Sequence, residues 1–496
     1  MTTHVVVAGW GQVTQPKQAE LPKDAMGLMV QAAKTAAQKL ADPSVLSRLD
    51  GIMVVRPLSA HYPDVPGQVA RHLGASPKYS HISKIGGNSP QTLINQAGAM
   101  IAKNDLNMVL VVGAEAYVRR SHTGRRSESA LLQGIPEDYP GDDAIGSTLL
   151  ENRHGIQHPM QGFALFETAL WHASGLDLKT HLEKTGKMWS RFSRVAATHP
   201  HAWTRTVKTA EEIITPATGN RPIAFPYTKF MNAFITVDQA AAVILMSEKA
   251  AAACRQKDLQ PVYFMGGGYA RDRQRFLVDK SDFTASPPMK AAVDKALDRS
   301  GLALDQMDCF DFYSCFPCAV SIARKMADLA ETDPRPLTIT GGLGFFGGPG
   351  NNYNLHAVAT LADHIATGKY RTGLVTALGW FMHKHAAGIY SCMRPEKSLA
   401  PMDLTDTRDS LAGSPPVPVD ETPAGKGVVE TYTVVYHPDY TPAYGAIYGR
   451  TSQGLRFVAN TPDDPDLFAA MTSHDMVGQT VRLKYNAAKG TTLAYF

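Results

Sequence analysis

Residues 341–354 read Gly-Gly-Leu-Gly-Phe-Phe-Gly-Gly-Pro-Gly-Asn-Asn-Tyr-Asn, and this stretch narrows the fold further than any other. Six glycines and one proline precede a helical pattern in which Leu355, Val358, Ala362 and Ile365 share one face. Glycine admits positive φ and close backbone approach. A glycine turn that opens a helix presents N–H groups with no intrahelical acceptor, which suits a thioester oxygen, a carboxylate or a phosphate. The plainer reading is a tight packing turn. A nucleotide loop is not indicated: there is no GxxxxGK[ST], and no GxGxxG directly follows a clear strand.

The same pattern occurs earlier. Gly86-Gly87-Asn88 leads into a helix over 90–102, then into the apolar strand Asn107–Gly113. Gly347-Gly348-Pro349-Gly350-Asn351-Asn352 leads into a helix, then into the strand Thr372–Gly379. Repetition of turn, helix, link and buried strand predicts a duplicated α/β core with two helix N-termini at one site. Ser89 is expected to cap the first helix and Pro90 to occupy its first position.

Continuous rather than alternating apolar runs, at Val5–Gly9, Asn107–Gly113 and Thr372–Gly379, predict strands buried on both faces of a mostly parallel sheet. Further strands are expected at Leu49–Val55, His81–Ile85, Val237–Met246, Pro261–Gly266 and Cys309–Ser314. Residues 114–218 break the pattern, being polar and rich in Arg, His and Gly, and read as a large excursion from the sheet. Residues 396–426, rich in Pro, Gly, Ser and Asp, read as a linker. From 427 to 496, short β-rich runs between turns predict a small barrel or sandwich.

With 496 residues, the chain has room for two to four domains. A formal net charge of +4 argues against nucleic-acid binding as its main business. The five cysteines include one CxxC, Cys315 and Cys318, with no second pair; zinc is not expected, and buried free thiols in a cytoplasmic protein are. Histidines crowd the excursion (His122, His154, His158, His172, His181, His199, His201) without a ligand spacing. No apolar run approaches the ~18 residues of a membrane span, and the N-terminus lacks a signal-peptide pattern.

On these residues the chain resembles the thiolase superfamily, in particular the sterol-carrier-protein type and its thiolase-like relatives. Ile223–Met231 with Asp238-Gln239-Ala240-Ala241-Ala242 is similar to the passage closing the first half in that group. Asp308–Phe316 (DCFDFYSCF) resembles the strand carrying the Asn-Glu-Ala-Phe or His-Asp-Cys-Phe motif, and the glycine stretch resembles the Gly-His-Pro motif. The tail, at 427–435 and 455–460, is similar to OB-fold domains associated with acyl-CoA enzymes. The resemblance implies an α/β thiolase fold: a duplicated βαβαβαββ core in layers, halves at 1–255 and 256–395, a loop domain at about 114–218, and a C-terminal OB-like β-barrel. It also implies coenzyme A or an acyl-CoA thioester as ligand, no covalently bound cofactor, and a homodimer through the core or a monomer.

The departures set the function. The position matching the cysteine nucleophile is Gly86, with no cysteine nearby. Tyr313 stands at the motif's Asn or His, Ser314 at the acid after it, and Gly348 at the histidine of Gly-His-Pro; the second cysteine has no counterpart around Gly379–Met382. Conventional cysteine-based chemistry is not expected. What remains is an acyl-CoA-binding protein, acyltransferase-like by descent, with two alternatives: a lyase acting on C–C bonds of acyl thioesters through Tyr313, or a non-catalytic acyl-CoA carrier. Candidate catalytic groups are Tyr313, His383 and His385. Candidate ligand-binding residues are Gly86, Gly87, Asn88, Ser89, Gly347 and Gly348, with Arg119 and Arg120 for the phosphates.

Overall fold

The computed structural model describes residues 3–118, 146–254, 258–396 and 411–496. The apolar runs become β1 (Val5–Thr14), β2 (Gly51–Val54), β3 (Tyr79–Ile82), β4 (Met108–Ala116), β7 (Asp238–Ser247), β8 (Tyr263–Asp272), β9 (Cys309–Asp311), β10 (Thr372–Gly379) and β11 (Lys384–Ser391). They form one sheet in the order β3-β2-β4-β7-β1-β8-β11-β10-β9. β7, β10 and β11 are buried along their whole length, as a sheet covered on both faces requires.

The duplication is visible in this order. Outward from the centre the first half runs β1-β7-β4-β2 and the second β8-β11-β10-β9. In each half two antiparallel pairings are followed by a parallel one. The halves meet at a narrow seam where Val6 pairs with Tyr263 and the Val7 N–H donates to Val262 O at 2.8 Å. The two helices that follow the glycine turns, Ser89–Ala102 and Tyr353–Ala366, pack on each other and on strands of both halves. Their apolar faces fill the layer between, with Leu355, Val358, Ala362 and Ile365 all buried. This is the layered α/β arrangement of the thiolase fold.

The sheet is mixed rather than mostly parallel, with five of the eight pairings along this order antiparallel. Two local expectations also change. Asn88, not Ser89, precedes the first helix; Ser89 is its first residue, and its Oγ donates to Lys84 O at 2.7 Å instead of capping. Strand β9 ends at Asp311, three residues early, because Phe312 donates to Leu337 O and Tyr313 to Thr376 Oγ1. The chain therefore leaves the sheet just before Tyr313. Between β4 and β7 the excursion carries helices at Pro159–Ser174, Leu178–Thr198 and Ala210–Ile214 and the hairpin β5 (Pro222–Ala224) and β6 (Tyr227–Thr228).

The C-terminal strands are β13 (Gly425–Tyr436), β14 (Pro442–Thr451), β15 (Arg456–Asn460), β16 (Thr480–Asn486) and β17 (Thr491–Tyr495). They run β14-β15-β17-β16-β13, and β13 also pairs β14, so the barrel closes. Its third and fifth strands are parallel, and a helix, Pro465–Met471, lies between the third and fourth: an OB arrangement. The barrel is docked on the core. β13 pairs with β5 through Val435 and Ala224, Thr168 bonds Thr431, and Tyr448 donates to buried Glu151. The described part of the expected linker is also held. β12 (Leu411–Ala412) pairs β8, and the backbones of Val417, Pro418 and Asp420 bond Asp279 and Arg456. No described helix is long and apolar enough to cross a membrane.

Candidate functional site

The two glycine turns lie against each other. Gly86 has φ +148 and its N–H donates to Asn351 Oδ1 at 2.9 Å; Asn351 Nδ2 donates to Arg56 O, and Asn352 Nδ2 to Gly113 O. The side-chain amides that follow the second turn thus hold the first turn and the strand beside it. The turns differ in what they leave open. In the second, the N–H groups of Gly348, Gly350 and Asn352 go to Phe234 O, Gly348 O and Pro349 O. Gly348 thus has no free N–H for an anion, whereas the N–H groups of Gly347 and Asn351 have no acceptor among the described residues. In the first, the N–H groups of Gly87 and Asn88 have no acceptor among the described residues. Asn88 is buried, and its Oδ1 packs on Gly86 and Gly379, where a Cβ would come within 2.4 and 2.3 Å of it.

Tyr313 comes to this same point. A Cβ on Gly87 would stand 2.2 Å from the Tyr313 hydroxyl and 2.5 Å from Leu378 O. The phenol therefore occupies the space into which a side chain from the helix start would project. Burial holds the Tyr313 hydroxyl far above the usual phenol range, with Cys315 adding in the same sense, so it stays a neutral donor. Its ring meets that of Tyr353 edge-on, centroids 5.5 Å apart. The Tyr353 hydroxyl is already engaged: it donates to Asp311 Oδ1 at 2.9 Å and lies 2.6 Å from Thr340 Oγ1. Asp311 also accepts from Thr338 and from the backbone of Ile339 and Thr340, which fixes the loop leading to Gly341.

Among the other expected site residues, His385 pairs in register with Leu378, but its ring turns to Ser286. Its Nε2 lies 2.9 Å from Ser286 Oγ and 3.1 Å from Met382 O. Burial lowers its pKa to about 3, and Lys280 adds to the effect. His383 is also buried, and burial with Lys384 and Lys280 nearby keeps it neutral. Lys384, not His385, stands beside Gly379 on the side of Asn88. The structure brings Gly86, Gly87, Asn88 and Tyr313 together and leaves both histidines in a separate cluster around Lys280 and Asp272, a buried pair 2.5 Å apart. Arg119 and Arg120 lie outside the described residues.

A search of solved structures returned a monomeric SCP2-thiolase-like protein type 1 from Mycobacterium smegmatis. It is 31% identical, with 99% of each chain covered and a TM-score of 0.83. The chain belongs to the SCP2-thiolase-like type 1 family. A family model for the thiolase-like protein type 1 additional C-terminal domain matches residues 406–487 of this family member, over the barrel. Two more distant solved structures share the fold. The Ltp2–ChsH2(DUF35) aldolase is 18% identical over 78% of this chain and 97% of that one, with a TM-score of 0.62. The acetyl-CoA acetyltransferase from Syntrophomonas wolfei is 14% identical over 79% and 100%, with a TM-score of 0.57. No curated protein matches the sequence.

Two parts of this SCP2-thiolase-like site were missed in the sequence. Glu115, at the end of β4, is 1% exposed and accepts from the N–H groups of Leu58 and Ser59. A Cβ on Gly350 would meet its Oε1 at 2.2 Å, so the second turn is moulded over this carboxylate. Burial raises its pKa to about 7. A lone acid ending an otherwise apolar run, VLVVGAEA, was the available signal. The loop joining β10 to β11 holds Trp380 and Met382 at φ +53 and +57, where L-residues pay about 1–2 kcal/mol each. Nothing in the residue types announces that strain.

Proposed function

We propose that the chain binds acyl thioesters of coenzyme A where the Ser89–Ala102 helix begins, and that it does so without cysteine-based thiolysis or Claisen condensation. One observation carries the reading: Gly87 and the Tyr313 hydroxyl share the space that a nucleophile rising from this helix start would need. A cysteine activated there would gain from the helix N-terminus; here that end is left for a ligand oxygen. The open N–H groups of Gly87 and Asn88 and the neutral Tyr313 phenol are three donors suited to one thioester carbonyl. Arg119 and Arg120 are the proposed partners of the phosphates. By likeness to the M. smegmatis relative we read the chain as a monomer.

A second reading, a C–C lyase, is favoured by Tyr313 lying against Tyr353 and by the fold shared with an aldolase. In it Tyr313 serves as the proton donor, since burial keeps its phenol protonated and the Tyr353 hydroxyl is committed to Asp311 and Thr340. Isothermal titration with coenzyme A, acetyl-CoA and longer acyl-CoAs tests the first reading. Binding is expected, weakened about tenfold in Tyr313→Phe, with no thiolysis of any ligand; absence of heat from the whole series rejects it. Cleavage of a β-hydroxyacyl thioester that Tyr313→Phe abolishes would establish the lyase. Binding with no turnover of any thioester would establish a carrier.

A further inference from the structure

A second concavity lies on the outer side of the excursion, between the Leu178–Thr198 helix and the Pro317–Met326 helix. Its volume is about 640 Å³, within the range of small-molecule sites. Half-buried Leu170, Met188, Val195 and Leu337 give it apolar walls. Phe192 lines it on the inner side, where its ring abuts Gly342.

The groove is positively charged. Six Lys and Arg side chains line it against two carboxylates, Glu331 and Asp333. Both carboxylates are taken, Glu331 by Lys184 at 2.9 Å and Asp333 by Arg335 at 2.7 Å. Arg191 makes no hydrogen bond or ion pair among the described residues; Arg324 donates to Ala330 O, its Nε is buried without an acceptor, and Glu331 and Asp333 offset part of the repulsion from Arg191. Two like charges facing one groove are relieved by an anion between them.

The floor holds a built polar group. His181 is 8% exposed and its Nε2 lies 2.7 Å from Glu167 Oε1. Glu167 Oε2 accepts from the Tyr227 hydroxyl at 2.7 Å, and that oxygen in turn accepts from the Cys318 N–H. A carboxylate only accepts, so His181 carries its proton on Nε2 and is left with Nδ1, which bonds nothing among the described residues. Apolar walls under a cationic rim make this a ligand site in chemistry as well as in shape.

We propose that this groove binds a single-chain amphiphile with an anionic head: the chain along Leu170, Met188 and Val195, and the head between Arg191 and Arg324. Laurate, dodecyl phosphate and dodecanol, each below its micelle concentration, are titrated calorimetrically against the full chain. Laurate or dodecyl phosphate binds with one-to-one stoichiometry, dodecanol at least tenfold more weakly. The tighter of the two anions identifies a carboxylate or a phosphate head. Arg191→Glu, an exposed substitution, weakens the anion at least tenfold, and Met188→Trp, which fills the groove, does the same to all three. Dodecanol binding as tightly as the anions, no binding of either anion, or unchanged affinity in Arg191→Glu overturns the proposal. Displacement of laurate by coenzyme A also overturns it, because the groove would then belong to the thioester site.

Discussion

Gly87 and Tyr313 are two sides of one choice, because their side-chain volumes overlap. Gly87→Cys, which places a thiol next to the matched position Gly86, forces the phenol aside and should lower stability by roughly 1–3 kcal/mol. Adding Tyr313→Ala should recover part of that loss, so the two changes couple in a double-mutant cycle read by thermal unfolding; simple additivity would mean that the residues do not share the space. Glu115 makes a pH prediction. Its pKa is raised from 4.5 to about 7 in the folded chain, so the folded state holds the extra proton between those values and stability falls as pH rises through that window. The full effect is roughly 3 kcal/mol. Glu115→Gln should flatten the melting temperature between pH 5 and 7, and a slope equal to the wild type's would remove Glu115 as its source. Tyr313 was legible from the motif it replaces. Glu115 was not, because its pKa comes from packing against residues 58, 59 and 350, which are distant in sequence.

Among the elements, the two glycine turns and their helices were legible in the sequence, because turn, helix and strand each leave a local pattern and the pattern repeats. The difference between the turns was not. Whether an N–H is open depends on which distant carbonyl reaches it, and Phe234 O reaches Gly348 while no acceptor among the described residues reaches Gly87. The segment expected to link core and barrel shows the same limit. Its composition is that of a loop, yet residues 411–420 are bonded to Arg271, Asp272, Asp279 and Arg456. Arg456 ties this region together. Its side chain is 0% exposed, it bonds Glu430 and Lys280 O, and it lies over Phe283 at 5.4 Å. Burial lowers its pKa to about 10, offset in part by Glu430. Arg456→Ala should cost roughly 2–4 kcal/mol and make residues 411–424 the first site of limited proteolysis. Unchanged proteolysis would separate the strap from this arginine.

For the whole molecule, barrel and core share one buried surface. Tyr448 and Val458 of the barrel belong to the same apolar cluster as Phe163, Phe166 and Phe283 of the core. A chain ending before Gly425 would expose that face and leave Glu151 without the Tyr448 hydroxyl. The shortened chain should therefore bind a hydrophobic dye strongly and aggregate on heating, whereas a monodisperse, dye-silent product would show an independent core. The fold class and the existence of two units could be read from the change from long buried runs to short β-rich ones. That they form one body could not, since the contacts join residues far apart in the chain.

The pairing of Ala224 with Val435 also has a meaning in time. Some two hundred residues separate the β5–β6 hairpin from the strand it joins. At ~5–20 residues per second the ribosome needs roughly 10–40 s to deliver that strand. Throughout that interval the first half of the core has been made, with an open strand edge and with Thr168 and Glu151 not yet met by Thr431 and Tyr448. An unpaired edge beside uncovered aromatic rings is what chaperones bind and what neighbouring nascent chains pair with. The first two barrel strands, β13 and β14, thus close that edge, and the chain's yield in a cell depends on how well the wait for them is protected.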